Sequence, residues 1–336
     1  MTSGTRVQGL DLLRGIAVGL VLLRHALPGL FPGAGLVGVV MFFAISGYLI
    51  TGVLVADLER LGHVDVRRFY ARRAVRLVPA LALLVAGVVL VTLTLDPLGD
   101  RAELGKTVLV ALTWTANLPF GHASEATYHL WTLATEEQFY LLWPMVLAAG
   151  FVRGRVGAVL LATGVACVVA AVATVVWLSE APELAYALPT SWAVCFAIGA
   201  AVRLYAHRLP RVGPAAVTAG LVCLAALSVV PLRGHALTYL AGGPAIAALT
   251  GLLLLAWREW RVVRPVVLRA LVWLGTVSYA AYLWNYPLTL WLRPYVAHAG
   301  LLAVVATLVL AWLSTRFVEE PLLRRGRRPA QDRVAV

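Results

Sequence analysis

Two ionisable side chains stand in an apolar stretch near the N-terminus, where their types and spacing could do chemistry. The stretch LDLLRGIAVGLVLLRHAL, residues 10–27, carries Arg14 and His25 eleven residues apart. Eleven residues are close to three helical turns, so both side chains lie on one helix face, about 16 Å apart along the axis. An imidazole can take a proton from an alcohol near neutral pH, and a guanidinium can pair with a phosphate or a carboxylate.

Both residues also have a purely structural interpretation. An intramembrane histidine can serve as a hydrogen-bonded link between helices, and Arg14 can pair with Asp11, three residues earlier on the helix. The two interpretations of Arg14 are not exclusive. We expect His25 to be functional because Arg14 shares its helix face and Glu136 is predicted at the same membrane depth.

The composition is that of a membrane protein. Of 336 residues, 61% are hydrophobic and 13% are charged, and the mean hydropathy is +0.86. Apolar runs of about twenty residues recur to the C-terminus, which predicts an all-α integral membrane protein. The net charge of +12 comes from arginine, since Lys106 is the only lysine. Because the arginines cluster in short loops, they indicate membrane topology and not nucleic-acid binding.

The alternation of charged loops predicts about ten transmembrane helices with both termini in the cytoplasm. An eleventh span at 107–120 would reverse every later loop, so we interpret that stretch as a re-entrant or surface helix on the outer side. We expect one membrane domain over residues 1–320, a basic cytoplasmic tail over 321–336, and no cleaved signal peptide in 1–31. The predicted spans are 9–31, 35–57, 78–96, 137–152, 156–178, 186–205, 212–231, 236–256, 268–292 and 298–317.

Three further clusters could contribute to a site, and each has an alternative interpretation. The first cluster, residues 129–144 (HLWTLATEEQFYLLWP), holds Glu136 and Glu137. These side chains point about 100° apart on a helix, so only one of them could orient His25. The aromatic residues of the same segment are also typical of an interfacial belt. FFAISG places Ser46 among small residues that usually indicate close helix packing. The arginines of 67–76 suit nucleotide phosphates, or a positive-inside anchor on an amphipathic cytoplasmic surface helix.

Several function classes lack their motifs. The sequence contains no Walker A loop, GxGxxG, HExxH or GxSxG elbow, so ATP-driven pumping, dinucleotide chemistry and serine hydrolysis have no support. The three cysteines have no metal-ligand spacing. A secondary transporter for a small anionic solute stays open, because intramembrane His, Glu and Arg also relay protons. The inverted repeats with paired broken helices that are typical of such a transporter are not evident in the sequence.

Six segments in order resemble one family, the acyltransferase-3 family of bacterial integral-membrane O-acyltransferases. The resemblance implies about ten spans and transfer of an acyl group, often acetyl, from acyl-CoA to sugar hydroxyls. It places Arg14 and His25 on the family's Arg-x10-His pair and Glu136 on its acidic position, while Ser46 and Tyr279, with Glu319, match recurring positions. The segments are LDLLRGIAVGLVLLRH, VVMFFAISGYLIT, RRFYARRAVRLVPAL, HLWTLATEEQFYLLWP, LGTVSYAAYLWNYPL and STRFVEEPLLRR.

Two departures from the family pattern refine this expectation. Asn285 stands where a histidine is usual, and asparagine cannot titrate, which leaves His25 as the expected base. The 336 residues do not include the family's frequent esterase-like extra domain, so we expect the chain to resemble the stand-alone members.

From this resemblance we expect a bacterial inner-membrane enzyme that acylates a hydroxyl of a surface polysaccharide, peptidoglycan, glycolipid or glycosylated natural product, with acetyl-CoA as co-substrate and no metal. Transfer could be direct or pass through an acyl-enzyme. The expected catalytic residues are His25 and Glu136. The expected donor-binding residues are Arg14, Arg72, Arg73 and Arg76, and the expected lining residues are Ser46, Tyr279 and Asn285.

Overall fold

The computed structural model describes residues 7–118 and 123–325, and within these ranges the protein is helical and has no strand. Short 3₁₀ turns lie at Arg101–Glu103, Glu125–Leu130, Pro182–Ala187 and Pro189–Ser191, and π-helical turns at Thr238–Gly242 and Ser314–Glu319. The helices are α1 (Gln8–Ala26), α2 (Ala34–Leu61), α3 (Val66–Thr94), α4 (Leu104–Leu112), α5 (Trp131–Val152), α6 (Val156–Trp177), α7 (Ala193–Tyr205), α8 (Pro214–Ser228), α9 (Gly243–Trp257), α10 (Val266–Thr276), α11 (Ser278–Leu292), α12 (Ala299–Leu313) and α13 (Glu320–Arg325).

Five helices in the described ranges are long and apolar enough to cross a membrane, or six if α10 and α11 together make one bent span. The protein is therefore a multi-pass membrane protein, as the hydropathy predicts. The prediction of ten spans is not confirmed by these lengths, and the cytoplasmic position of the termini stays a prediction. Residues 326–336 of the predicted basic tail lie outside the described residues.

Three predicted boundaries differ from the structure. The arginine-rich segment is not a separate surface helix, because α3 begins at Val66 and continues without a break to Thr94. The fourth predicted span begins at residue 137, whereas α5 begins at Trp131. The stretch predicted as a re-entrant or surface helix contains the end of α4, whose nine residues are too short to cross a bilayer.

The predicted span 268–292 is broken. α10 and α11 meet at an angle of 78° around Val277, so the second half of the segment leaves in a new direction. The bend places Ser278 and Tyr279, at the start of α11, beside the central cavity described below.

Two glycines allow the close helix crossings that hold the site. A Cβ on Gly15 of α1 would lie 1.8 Å from the carbonyl oxygen of Leu271 in α10, and one on Gly47 of α2 would lie 2.1 Å from the carbonyl oxygen of Phe196 in α7. Any larger residue would force these backbones apart. The small residues of the FFAISG segment therefore include a packing contact, as small residues in membrane helices usually do.

Candidate active site

One cavity of about 130 Å³ lies between α1, α2, α3, α5 and α11. It brings together side chains that are distant in sequence, because each of these helices turns one polar residue or more toward the same space. Arg72 is exposed and does not line this cavity. The sequence-predicted residues that line it are Arg14, Ser46, Arg73, Arg76, Glu136 and Tyr279. We refer to it as the arginine cavity.

Glu136 is held in the arginine cavity by two hydroxyl groups. The Ser46 hydroxyl donates a hydrogen bond to Glu136 Oε1. Tyr140, one turn later on α5, donates a second bond to the same oxygen at 2.5 Å. Two donors fix the carboxylate in one orientation and offset part of the cost of burying it.

The adjacent carboxylate has a different partner. Arg73 Nη2 donates to Glu137 Oε1 at 2.6 Å, and both side chains are mostly buried, with exposed fractions of 16% and 14%. The same guanidinium lies 3.3 Å from the centre of the Tyr140 ring. The predicted 100° separation of the two glutamates therefore lets them bind two different partners, and Glu137 pairs with Arg73.

His25 lies in a second space, at the C-terminal end of α1. It lines a cleft of about 470 Å³ formed by this end of the helix and by residues 293–301, between α11 and α12. We call this space the histidine cleft. Arg14 lines the arginine cavity, and His25 follows it by eleven positions on α1, so the two residues are about 16 Å apart along the helix.

A chain of hydrogen bonds fixes the imidazole of His25. His25 Nδ1 lies 2.5 Å from Asn285 Oδ1, and Asn285 Nδ2 donates to Thr307 Oγ1 at 3.2 Å. An amide oxygen only accepts, so Nδ1 carries the proton and Nε2 keeps its lone pair. Asn285 is fully buried. Its position where the family pattern has a histidine is therefore compatible with orienting a base.

The structure corrects the predicted pairing of Glu136 with His25. Glu136 bonds Ser46 and Tyr140, whereas His25 bonds Asn285. The error arises from the helix boundary, because α5 begins six residues earlier than predicted and Glu136 consequently lies more than one turn inside the helix. The residue of this segment that lies on the side of His25 is His129, at its start, because both imidazole rings contact the ring of Tyr286.

The comparison with known families decides the class of the chain. The profile of the acyltransferase domain, Acyl_transf_3, matches residues 7–316. The chain belongs to this family. It is an acyltransferase by family, and the secondary-transporter alternative finds no support.

Curated relatives of this acyltransferase-3 chain include O-acetyltransferases. It is 31% identical to the putative peptidoglycan O-acetyltransferase YrhL of Bacillus subtilis over 98% of the chain and 57% of the relative. It is 27% identical to the peptidoglycan O-acetyltransferase OatA of Listeria monocytogenes over 95% of the chain and 56% of the relative. The O-acetyltransferase OatA of Staphylococcus aureus is 37% identical over 44% of the chain and 26% of the relative. No solved structure matches the chain.

The chain therefore spans little more than half the length of the first two relatives and about a quarter of the third. Within the described ranges of this acyltransferase-3 chain, no group of three or more His, Cys, Asp or Glu side chains could hold a metal ion.

Sequence reasoning missed the residues that lie between the two spaces. The Tyr282 hydroxyl lies 2.6 Å from Thr132 Oγ1 and donates to the carbonyl oxygen of His129 at 3.0 Å. The ring of Tyr286 lies 5.4 Å from that of His25 and 5.2 Å from that of His129. Tyr282 lies three positions before Asn285 on α11 and four before Tyr286, so the helical spacing of Tyr282 from both residues was the signal that could have identified this group.

Proposed function

We propose that this acyltransferase-3 chain transfers an acetyl group from acetyl-CoA to a hydroxyl group of peptidoglycan. Two relatives matched over nearly the whole chain carry peptidoglycan O-acetyltransferase in their names, which supports both the acetyl group and the acceptor. The chain would act in the bacterial cytoplasmic membrane, with donor and acceptor approaching from opposite faces.

The observation that carries this proposal is the contact between His25 and Asn285. A general base for an alcohol needs one nitrogen free and the other hydrogen-bonded in a fixed tautomer. Asn285 accepts from Nδ1 and is itself held by Thr307, so Nε2 is the nitrogen that takes the proton. The histidine cleft beside this imidazole gives an acceptor hydroxyl room to approach.

The reaction needs one base and a positioned thioester. As the acceptor oxygen attacks the carbonyl carbon, its proton passes to His25 Nε2. The carbon–sulfur bond then breaks, and the proton passes from His25 to the departing CoA thiolate, which restores the neutral imidazole. Positioning and one proton transfer account for large accelerations, with the base contributing about 10²- to 10⁴-fold.

The arginine cavity is the proposed place of the donor. Arg14, Arg73 and Arg76 line it, and guanidinium groups bind phosphates through several hydrogen bonds at once. An acetyl group must travel about 16 Å along α1 from these arginines to reach His25. An extended pantetheine arm is the part of the donor that would cover this distance, past Tyr282.

Glu136 has a different role in this proposal from that of a partner of His25. It does not contact His25, so we assign it to the donor side, where its charge and its bonds to Ser46 and Tyr140 shape the arginine cavity. Arg72 leaves the proposed donor site because it is exposed and does not line that cavity.

The test is acceptor-dependent release of CoA by the purified chain in detergent or nanodiscs. Radiolabelled acetyl-CoA and soluble peptidoglycan fragments are supplied, and the fragments are analysed by mass spectrometry for a gain of one acetyl group. We expect release of CoA to require the fragments and to fall at least ~10²-fold in His25→Ala. Label that reaches no fragment, or full turnover in the variant, would contradict the proposal.

A further inference from the structure

Three arginines lie near His25 or near the adjoining Tyr286, and one of them lines the histidine cleft. Arg293 lines the cleft together with His25, and Arg24 adjoins His25 in the sequence. Both lie within electrostatic reach of His25, and Arg233 and Arg293 lie within reach of the neighbouring Tyr286. No carboxylate among the described residues forms an ion pair with any of the three.

These arginines are exceptions to the charge pattern of the chain. On the topology predicted from the sequence, this end of the molecule faces outward, where the positive-inside rule disfavours arginine. Arg101 is also predicted on the outer side, but it has a structural role. It donates hydrogen bonds to the carbonyl oxygens of Thr92 and Leu93 at the end of α3. Arg233 has no such carbonyl partner among the described residues.

Arg233 lies on a row of aromatic rings that leads to the base. Its guanidinium carbon lies 4.6 Å from the centre of the Tyr186 ring and 5.7 Å from that of Tyr128, whose hydroxyl accepts a bond from Arg233 Nη2 at 3.3 Å. The Tyr128 ring lies 6.5 Å from that of Tyr286, which in turn lies 5.4 Å from the ring of His25.

This combination of groups suits one class of ligand. The C–H face of a pyranose ring packs against tyrosine rings while its hydroxyl groups bond to their polar ends. A guanidinium at the end of such a row recognises a carboxylate in a fixed orientation. Glu125 lies within electrostatic reach of Tyr128 and Tyr286, and Glu183 lies within reach of Tyr239 together with Arg233. Two carboxylates do not balance three arginines.

We propose that the histidine cleft, together with the row of tyrosines that adjoins His25 through Tyr286, binds a saccharide that carries a carboxylate, with Arg293 in the cleft and Arg233 on the row as the groups that select its charge. This inference rests on the proposed function, because it describes the acceptor of the same reaction. It adds that the acceptor must be anionic close to the acylated hydroxyl. A neutral sugar would fit the same rings but would offer the arginines no carboxylate.

The experiment compares two acceptors that differ in one charge. A peptidoglycan disaccharide with a free lactyl carboxylate and its methyl ester are each titrated into the full chain in nanodiscs of phosphatidylcholine. Binding is followed by tryptophan fluorescence, and acetyl transfer from acetyl-CoA is measured in parallel. Hydrogen bonds to charged groups favour the acid about tenfold or more in Kd and in kcat/KM.

In the variants Arg233→Gln and Arg293→Gln, the affinity and the kcat/KM for the acid should fall to the values for the ester. The values for the ester should change little. Arg261→Gln is the matched control, an exposed arginine in the loop before α10 that is close to the other end of α1. It should keep the full preference for the acid.

Equal binding of acid and ester by the unaltered chain would overturn the inference. It would also be overturned if the two variants lost both acceptors equally, or if they changed only how strongly anionic lipid, added to the nanodiscs, competes with the acid. That last result would assign the arginines to lipid headgroups. Preferential binding of the acid without any acetyl transfer would retain the anionic site and refute the proposed function, so the two failures can be told apart.

Discussion

Asn285 Oδ1 lies 2.5 Å from His25 Nδ1, and these two residues are 260 positions apart in the chain. The contact joins the end of α1 to the middle of α11 and assigns the protonated nitrogen of the imidazole. Thr307 of α12 holds the asparagine in turn. The base proposed for the reaction is thus oriented by two helices that follow it late in the sequence.

Asn285→Leu should lower kcat for acetyl transfer about 10- to 100-fold with little change in KM for acetyl-CoA. Leucine approximates the volume of the side chain but cannot accept from Nδ1, so the imidazole loses its fixed tautomer and orientation. Steady-state kinetics at matched expression measure this. Thr307→Val, which removes only the bond to Asn285 Nδ2, should cost less. A larger loss in Thr307→Val than in Asn285→Leu would contradict the proposed chain.

His25→Ala should abolish acceptor-dependent release of CoA, by at least ~10²-fold, because it removes the group that takes the acceptor's proton. His63→Ala is the control, since His63 is an exposed histidine that bonds only a nearby carbonyl oxygen, that of Leu61. Both variants should insert and purify like the unaltered chain. Comparable turnover in the unaltered chain, His25→Ala and His63→Ala would show that His25 is not the base.

Arg76→Gln and Arg72→Gln separate donor binding from topology. The two arginines are one helical turn apart on α3, and both are exposed, but only Arg76 lines the arginine cavity. A donor titration should give a KM for acetyl-CoA about 3- to 10-fold higher in Arg76→Gln, with kcat less affected, and an unchanged KM in Arg72→Gln. An unchanged KM in both variants would mean that the cluster acts only as a positive-inside anchor, and an equal rise in both would contradict the distinction between Arg76 and Arg72.

Substitutions of Arg73 and Glu137 should have strongly coupled effects on the unfolding temperature. Removing one partner of a buried ion pair leaves the other charge without compensation, which costs about 3 kcal/mol or more. Arg73→Met and Glu137→Leu should therefore each lower the unfolding temperature in detergent, while the double variant recovers much of the loss. Additive losses in that double-mutant cycle would show that the 2.6 Å contact contributes little.

Several properties were predictable from the sequence because they depend on local chemistry. The membrane class follows from composition, since a helix of about twenty apolar residues satisfies its own backbone wherever it is placed. The spacing of Arg14 and His25 follows from helical geometry alone, and the ordered motifs indicated the family that the profile then confirmed. The close packing of the FFAISG segment was predictable because glycine is the residue that permits it.

Only the tertiary structure decided which polar groups meet. The sequence placed Glu136 and His25 at one depth, but a helix that begins at Trp131 carries Glu136 inward, and the bend at Val277 turns α11 so that Ser278 lies at one space and Asn285 contacts His25 at the other. Neither the start of α5 nor the 78° bend has a strong local signal, because helix boundaries and kinks in apolar segments are set by packing against neighbouring helices. The division of the candidate site into an arginine cavity and a histidine cleft therefore depends on contacts between residues far apart in the chain.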